Sequence, residues 1–145
     1  MASVNLYLNF NGNCEEAFNF YKSAFGNEFQ YIGRFNEMPA SDEFKLSESD
    51  GQKIMHVSLP IGDGTCLMGS DTGGEWAPTF VPGNNFSISI NTIGKDEADK
   101  LFNSLSDGGK VTMPLSKTFW SEYFGMFTDK FGINWMVSFD GNQQK

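Results

Sequence analysis

The sequence predicts an α+β chain of two tandem βαβββ modules, and three observations predict it. Strand-type alternation of apolar and polar residues gives way to helical spacing in the order strand, helix, three strands. The same order then occurs a second time, at an offset of about eighty residues, too long for a solenoid period and right for duplicated half-domains. Between the copies lies a Gly/Pro-rich connector containing Gly73, Gly74, Pro78, Pro82 and Gly83. One domain, residues 1–145, is thus expected to comprise a first module (1–71), a linker (72–84) and a second module (85–145).

Each element has its own signal. Val4 to Phe10 alternates Leu6, Leu8 and Phe10 against Tyr7 and Asn9, as a strand does. Asn13, followed three residues later by Glu16, fits a capping box that opens a helix. Ala17, Phe20, Tyr21, Ala24 and Phe25 recur at helical spacing, and Gly26 supplies the stop. Glu28 to Phe35 reads as a second strand, and the polar stretch 36–52, interrupted by Pro39, as a loop. Residues 53–59 and 65–70 form a hairpin around 60–64. In the second copy, 85–91 alternates Phe86, Ile88 and Ile90 against Ser87 and Ser89. Residues 96–105 carry the stripe Ala98, Leu101, Phe102 and Leu105, and end at Gly108 and Gly109. Strands follow at 110–115, 122–128 and 133–139.

Composition narrows the function. The 145 residues carry 18 acidic against 10 basic side chains, a net charge of −8, which disfavours nucleic acid and anionic lipid as partners. No apolar run is long enough to span a bilayer, and the first residues lack a basic region followed by an apolar stretch. Cys14 and Cys66 stand alone, without zinc-ribbon or redox spacing. A cytoplasmic protein in a reducing compartment is expected. With 15 Phe, 4 Tyr and 3 Trp the core is aromatic. No phosphate loop, dinucleotide fingerprint or nucleophile elbow is present.

Sheets built this way carry helices on one face, so the opposite face is free to line a concave small-molecule site. Leu6, Leu8, Phe10, Met55, Val57, Leu59, Phe86, Ile88 and Ile90 are assigned to the helix side. Tyr7, Asn9, His56, Ser58, Ser87 and Ser89 fall on the other, joined by Met136 and Ser138 if Trp135, Val137 and Phe139 face the helices. The bland alternative is that these residues face solvent or a second subunit.

Several segments resemble a known superfamily. Tyr7 to Gly12, Ala17 to Tyr21 and Phe25-Gly26 are similar to the first module of the vicinal oxygen chelate proteins: glyoxalase I, bleomycin-resistance proteins and extradiol dioxygenases. The PhnB-like branch is matched by His56 to Leu59, Met68 to Asp71, Met113 to Leu115, Thr118 to Trp120, Phe124-Gly125 and, most specifically, Thr128 to Trp135. The resemblance implies curved mixed sheets around a cavity between the modules, helices on the outer face, and a homodimer.

It also implies, for metal-using members, His, Glu or Gln ligands on the first and last strands of each module. Here those strands offer Asn5, Tyr7, Asn9, Ser87, Ser89 and Met136, none of them a usual ligand for Zn²⁺, Ni²⁺ or Fe²⁺. One histidine cannot build a two-His triad, so no metal and no cofactor is expected.

The remaining candidates each have two readings. His56 is the candidate catalytic base, or else a hydrogen-bonding member of a polar strand face. Trp120, Tyr123, Phe124 and Trp135 stack on a ligand or pack in the core; Trp120, set between polar stretches, is the one expected at a cavity mouth. Asp129 is expected to serve the turn before the last strand. Cys66 is expected to be a buried thiol, and Asp71 or Glu122 to be the groups able to approach His56. The ligand-binding set is then Tyr7, Asn9, Ser58, Ser87, Ser89, Trp120 and Met136. Two functions compete: a metal-independent lyase- or isomerase-type enzyme acting by proton transfer, and a non-catalytic protein that binds or sequesters a small molecule or drug. Methyl transfer, a label carried by proteins of this branch, lacks the Gly-rich strand-to-helix turn of a parallel α/β sheet. A phosphonate lacks a basic cluster to meet it.

Overall fold

The computed structural model describes residues 2, 4–37, 48–62, 64–72 and 80–140. They form two compact units, Met1–Val81 and Pro82–Lys145, each a four-stranded mixed sheet with one long helix. The expected linker falls largely on residues 73–79, outside the described residues, as does 38–47 of the expected loop.

In the first unit β1 (Leu6–Phe10) leads into α1 (Cys14–Phe25). Then come β2 (Tyr31–Arg34), a 3-10 turn at Phe35–Glu37, α2 (Glu48–Gln52), β3 (Ile54–Gly62) and β4 (Thr65–Asp71). The sheet order is β1-β4-β3-β2, with β1 parallel to β4 and the other pairs antiparallel. The short helix α2 lies in the stretch expected to be a loop. Strand β3 also runs further than expected, through Pro60, because a register shift between Pro60 and Gly62 spares the ladder the missing proline donor.

Alternation sorts the sheet as expected in most places. Leu8, Phe10, Val57, Leu59 and Leu67 are buried together with Ala17, Phe18, Tyr21 and Ala24 of α1. Phe18, rather than Phe20, joins Tyr21 as a fully buried aromatic of the helix. Phe18 seats on Gly69 of β4, where an added Cβ would lie 2.7 Å from its ring and 2.8 Å from the Leu8 carbonyl oxygen. Met55 also departs from expectation: a bulge beside Gly33 and Arg34 shifts the register, so Ile54 takes the buried position and Met55 is half-exposed.

The start of α1 is capped differently from the expected box. Asn13 makes no side-chain cap. The donors there are met from 57 residues away, where Asp71 Oδ1 accepts from Gly12 N and Cys14 N, both at 2.9 Å, while its Oδ2 accepts from Ile54 N at 2.9 Å. One buried carboxylate thus joins the β1–α1 turn to β3. The end of α1 follows expectation, with Gly26 left-handed (φ 78°) and its N–H donating to the Lys22 carbonyl.

The second unit repeats the order as β5 (Ile88–Asn91), α3 (Lys95–Ser106), β6 (Lys110–Ser116), β7 (Tyr123–Thr128) and β8 (Asn134–Phe139), in sheet order β5-β8-β7-β6. Ala98, Leu101, Phe102 and Leu105 of α3 are buried, as are Ile88, Phe127, Trp135 and Val137. Strand β5 begins later than expected, and Phe86, outside it, is 53% exposed rather than on the helix side. Asp129 serves the final turn: its Oδ1 accepts from Phe131 N and Ile133 N, and its Oδ2 from the indole N–H of buried Trp135.

Candidate functional site

On the face of the first sheet away from α1, strand pairing sets two rows side by side. Tyr7 stands opposite Met68, Met68 opposite Ser58, and Ser58 opposite Tyr31, one residue from each of the four strands. In the next row Asn9 stands opposite Ser70, and His56 opposite Gly33. Pairing and the period of two put these on one side, opposite the buried Leu8, Val57, Leu67 and Gly69; Ser58, though on this face, is buried too.

His56 is held between two tyrosines. Tyr7 Oη lies 3.2 Å from His56 Nδ1, with the rings 5.6 Å apart and inclined by 25°. Tyr31 approaches from the other side, its ring 5.8 Å from the imidazole and tilted by 34°. Gly33 makes this possible, since a Cβ there would lie 2.4 Å from the Tyr31 hydroxyl. The tyrosine two residues earlier lies across the space that the missing side chain leaves.

A second cluster adjoins it. Ser58 Oγ and Cys66 Sγ both donate to Gln30 Oε1, at 3.3 and 3.5 Å, and Gln30 N–H donates to the Ser58 carbonyl at 2.8 Å. Gln30, Tyr31 and Gly33 were not among the sequence candidates. The signal that could have found them is a Tyr-x-Gly on a short strand, where the glycine leaves room for the ring. Cys66 is half-exposed on this face rather than buried; Cys14 is the fully buried thiol. Burial pushes the Cys14 thiol well up, with the nearby charges of Asp71 and Glu15 adding to it.

Asp71 does not orient His56, since both its oxygens accept from backbone N–H groups on the buried side. Glu122 is exposed in the second unit. Of the sequence candidates, the fold brings Tyr7, Asn9, His56 and Ser58 onto one face. The other four belong to the second unit. Ser89 is exposed and paired in parallel register with half-buried Met136, and Ser87 is exposed just before β5. Trp120, 53% exposed, meets Phe119 and Phe124 edge-on and lines a cleft of about 290 Å³ with Lys117 to Glu122 and Asp140.

The first and last strands of each unit are parallel neighbours. The positions where metal-using relatives would carry ligands therefore face each other as Tyr7 and Met68, Asn9 and Ser70, Ser89 and Met136, Asn91 and Ser138. A phenol, thioethers, amides and hydroxyls do not fit a divalent ion that takes imidazole and carboxylate. The lone imidazole stands apart on β3. Among the described residues no group of three or more His, Cys, Asp or Glu is placed to hold a metal ion.

Two βαβββ units, each ending in a strand parallel to its first, make a glyoxalase-like fold. A glyoxylase/bleomycin resistance protein/dioxygenase domain from Frankia sp. EAN1pec shares it at 15% identity and TM-score 0.64, over 97% of this chain and 98% of that one. Within that class the chain belongs to the family described as 3-demethylubiquinone-9 3-methyltransferase, whose pattern matches residues 2–138. It is 33% identical to Protein YjdN of Escherichia coli (strain K12), over 91% of each chain. It is 39% identical to protein PA1353 from Pseudomonas aeruginosa, with a TM-score of 0.81 over 98% of this chain and 100% of that one. A putative 3-demethylubiquinone-9 3-methyltransferase, PhnB protein, from Bacillus cereus is 26% identical, with a TM-score of 0.70 over 95% and 99%. No helix among the described residues is long and apolar enough to cross a membrane.

Proposed function

We propose that the protein binds a small molecule on the polar face of its first sheet, with His56 as the central anchor. The observation that carries this reading is the grip on His56, whose imidazole meets Tyr7 through a hydrogen bond and ring contact and Tyr31 through its ring. A histidine serving only as a solvated surface residue has no need of two flanking rings and a facing glycine. Rings, an amide and hydroxyls on one sheet face are the kind of lining small-molecule sites use. A fragment collection screened by ligand-observed NMR tests it. Hits on the wild-type chain should be lost or weakened about tenfold in His56→Ala; hits indifferent to that change would contradict the reading.

A proton-transfer enzyme is the second reading, favoured by the same contact, because a phenol beside an imidazole can relay a proton. The two part on turnover. If a substrate is found, an enzyme loses its rate in His56→Ala, whereas a binding protein loses affinity alone. Methyl transfer is not supported: among the described residues each sheet has a single parallel strand pair, not the doubly wound parallel frame of a dinucleotide-type site. The homodimer implied by the superfamily belongs to this proposal as well, and a native mass of twice 16.1 kDa is its expected result.

A further inference from the structure

We infer that the His56 face selects a flat, uncharged ligand through that ligand's hydrogen-bond acceptors, an inference that rests on the binding reading above. The polar groups at the centre of the face are already half committed. A phenol O–H is a stronger acid than a neutral imidazole N–H, and an imidazole nitrogen is the stronger base, so Tyr7 donates to Nδ1. The ring proton then sits on Nε2, leaving His56 a donor toward a ligand. Gln30 is set in the same sense. Its Oε1 accepts from both Ser58 Oγ and Cys66 Sγ, so what its amide has left to offer is the NH₂ group, which only donates. A carbonyl or ring nitrogen satisfies these donors. A ligand without acceptors covers them and leaves them unpaired, which is costly once water is displaced.

Shape and charge narrow the class further. The rings of Tyr7 and Tyr31 are inclined to the imidazole by only 25° and 34°, an arrangement that suits a flat partner. The strand residues on this face include no Lys or Arg. Arg34, next to Gly33, is held by both oxygens of Glu15, at 2.9 and 2.7 Å, and by the Gln52 carbonyl. Residues 1–81 hold eleven Asp and Glu against four Lys and Arg, so an anion meets a repulsive field. A flat cation is drawn by that field, but without acceptors it finds N–H groups pointing at it. A neutral acceptor ligand fits both.

Three flat probes of similar size separate these classes: N-methyl-2-quinolone (neutral, acceptor), N-methylquinolinium (cation, no acceptor) and 2-naphthoate (anion). Each is titrated into the full chain while the imidazole signals of its only histidine and the Gln30 side-chain amide signals are followed by NMR. The quinolone should bind about tenfold more tightly than either ion, shift both sets of signals, and weaken in Gln30→Ala and in Tyr7→Phe. Quinolinium bound at these signals as tightly as the quinolone overturns the selection by acceptors, and naphthoate bound as tightly overturns the selection against charge; either leaves the binding reading standing. If the quinolone moves neither set, whether it binds elsewhere or not at all, both fail.

Discussion

Asp71 Oδ2 accepts from the backbone N–H of Ile54 at 2.9 Å, while its other oxygen holds Gly12 N and Cys14 N. This carboxylate therefore fixes the start of α1 and the start of β3, the strand that carries His56. Asp71→Asn turns one acceptor into a donor facing a donor. It should cost about 3 kcal/mol of stability, the scale of a charge-assisted bond lost with its partner left buried, measured by urea unfolding. A loss near zero would show that the turn finds other acceptors.

Gly69→Ala should destabilise by about 1–3 kcal/mol, because the added methyl meets the Phe18 ring at 2.7 Å and the fixed Leu8 carbonyl at 2.8 Å. The double variant with Phe18→Leu separates the two contacts. It should recover part of the loss in thermal unfolding, since the smaller side chain can withdraw and the carbonyl cannot.

Much of this packing was legible in the chain itself. Leu8, Phe10, Val57 and Leu59 alternate against polar neighbours, and Ala98, Leu101, Phe102 and Leu105 keep helical spacing, so their burial follows from period alone. Local pattern fails where a distant residue intervenes. Asn13 and Glu16 form a sound capping signature, yet Asp71 takes the donors there from another strand. A bulge exchanged Met55 for Ile54, and a late start to β5 released Phe86. In the candidate site, Tyr7, Asn9, His56 and Ser58 were readable as one face. Tyr31 and Gln30 were not, because their part depends on which strand pairs with β3.

The two thiols should differ in reactivity. Cys14 is fully buried and its thiol is pushed well up, whereas Cys66 is half-exposed. Thiol counting with a chromogenic disulfide should find one fast group in the native protein and both in denaturant. Two fast groups would contradict the packing of α1 on its sheet.

Acid should weaken the Glu15–Arg34 pair. The Arg34 guanidinium, through its hydrogen bond first and its charge second, holds the Glu15 carboxyl below its usual range. A carboxyl lowered in the folded state contributes stability that is full above its unfolded pKa, about 4.3, and is lost as pH falls through the lower folded value. The pair is partly exposed, so the effect is small. Glu15→Gln should flatten this part of the stability curve below about pH 5 and leave the curve unchanged near neutrality in shape; an unaltered acid limb would show that the pair contributes nothing.

Tyr7 holds His56 on this face, and because the sequence has one histidine the contact can be measured directly. A long-range ¹H–¹⁵N spectrum, recorded at alkaline pH, reports which ring nitrogen carries the proton. The predicted result is a proton on Nε2 with Nδ1 as an acceptor in the wild type, shifting toward an average of the two tautomers in Tyr7→Phe. A wild-type imidazole protonated on Nδ1, or one averaged as in the variant, would contradict it.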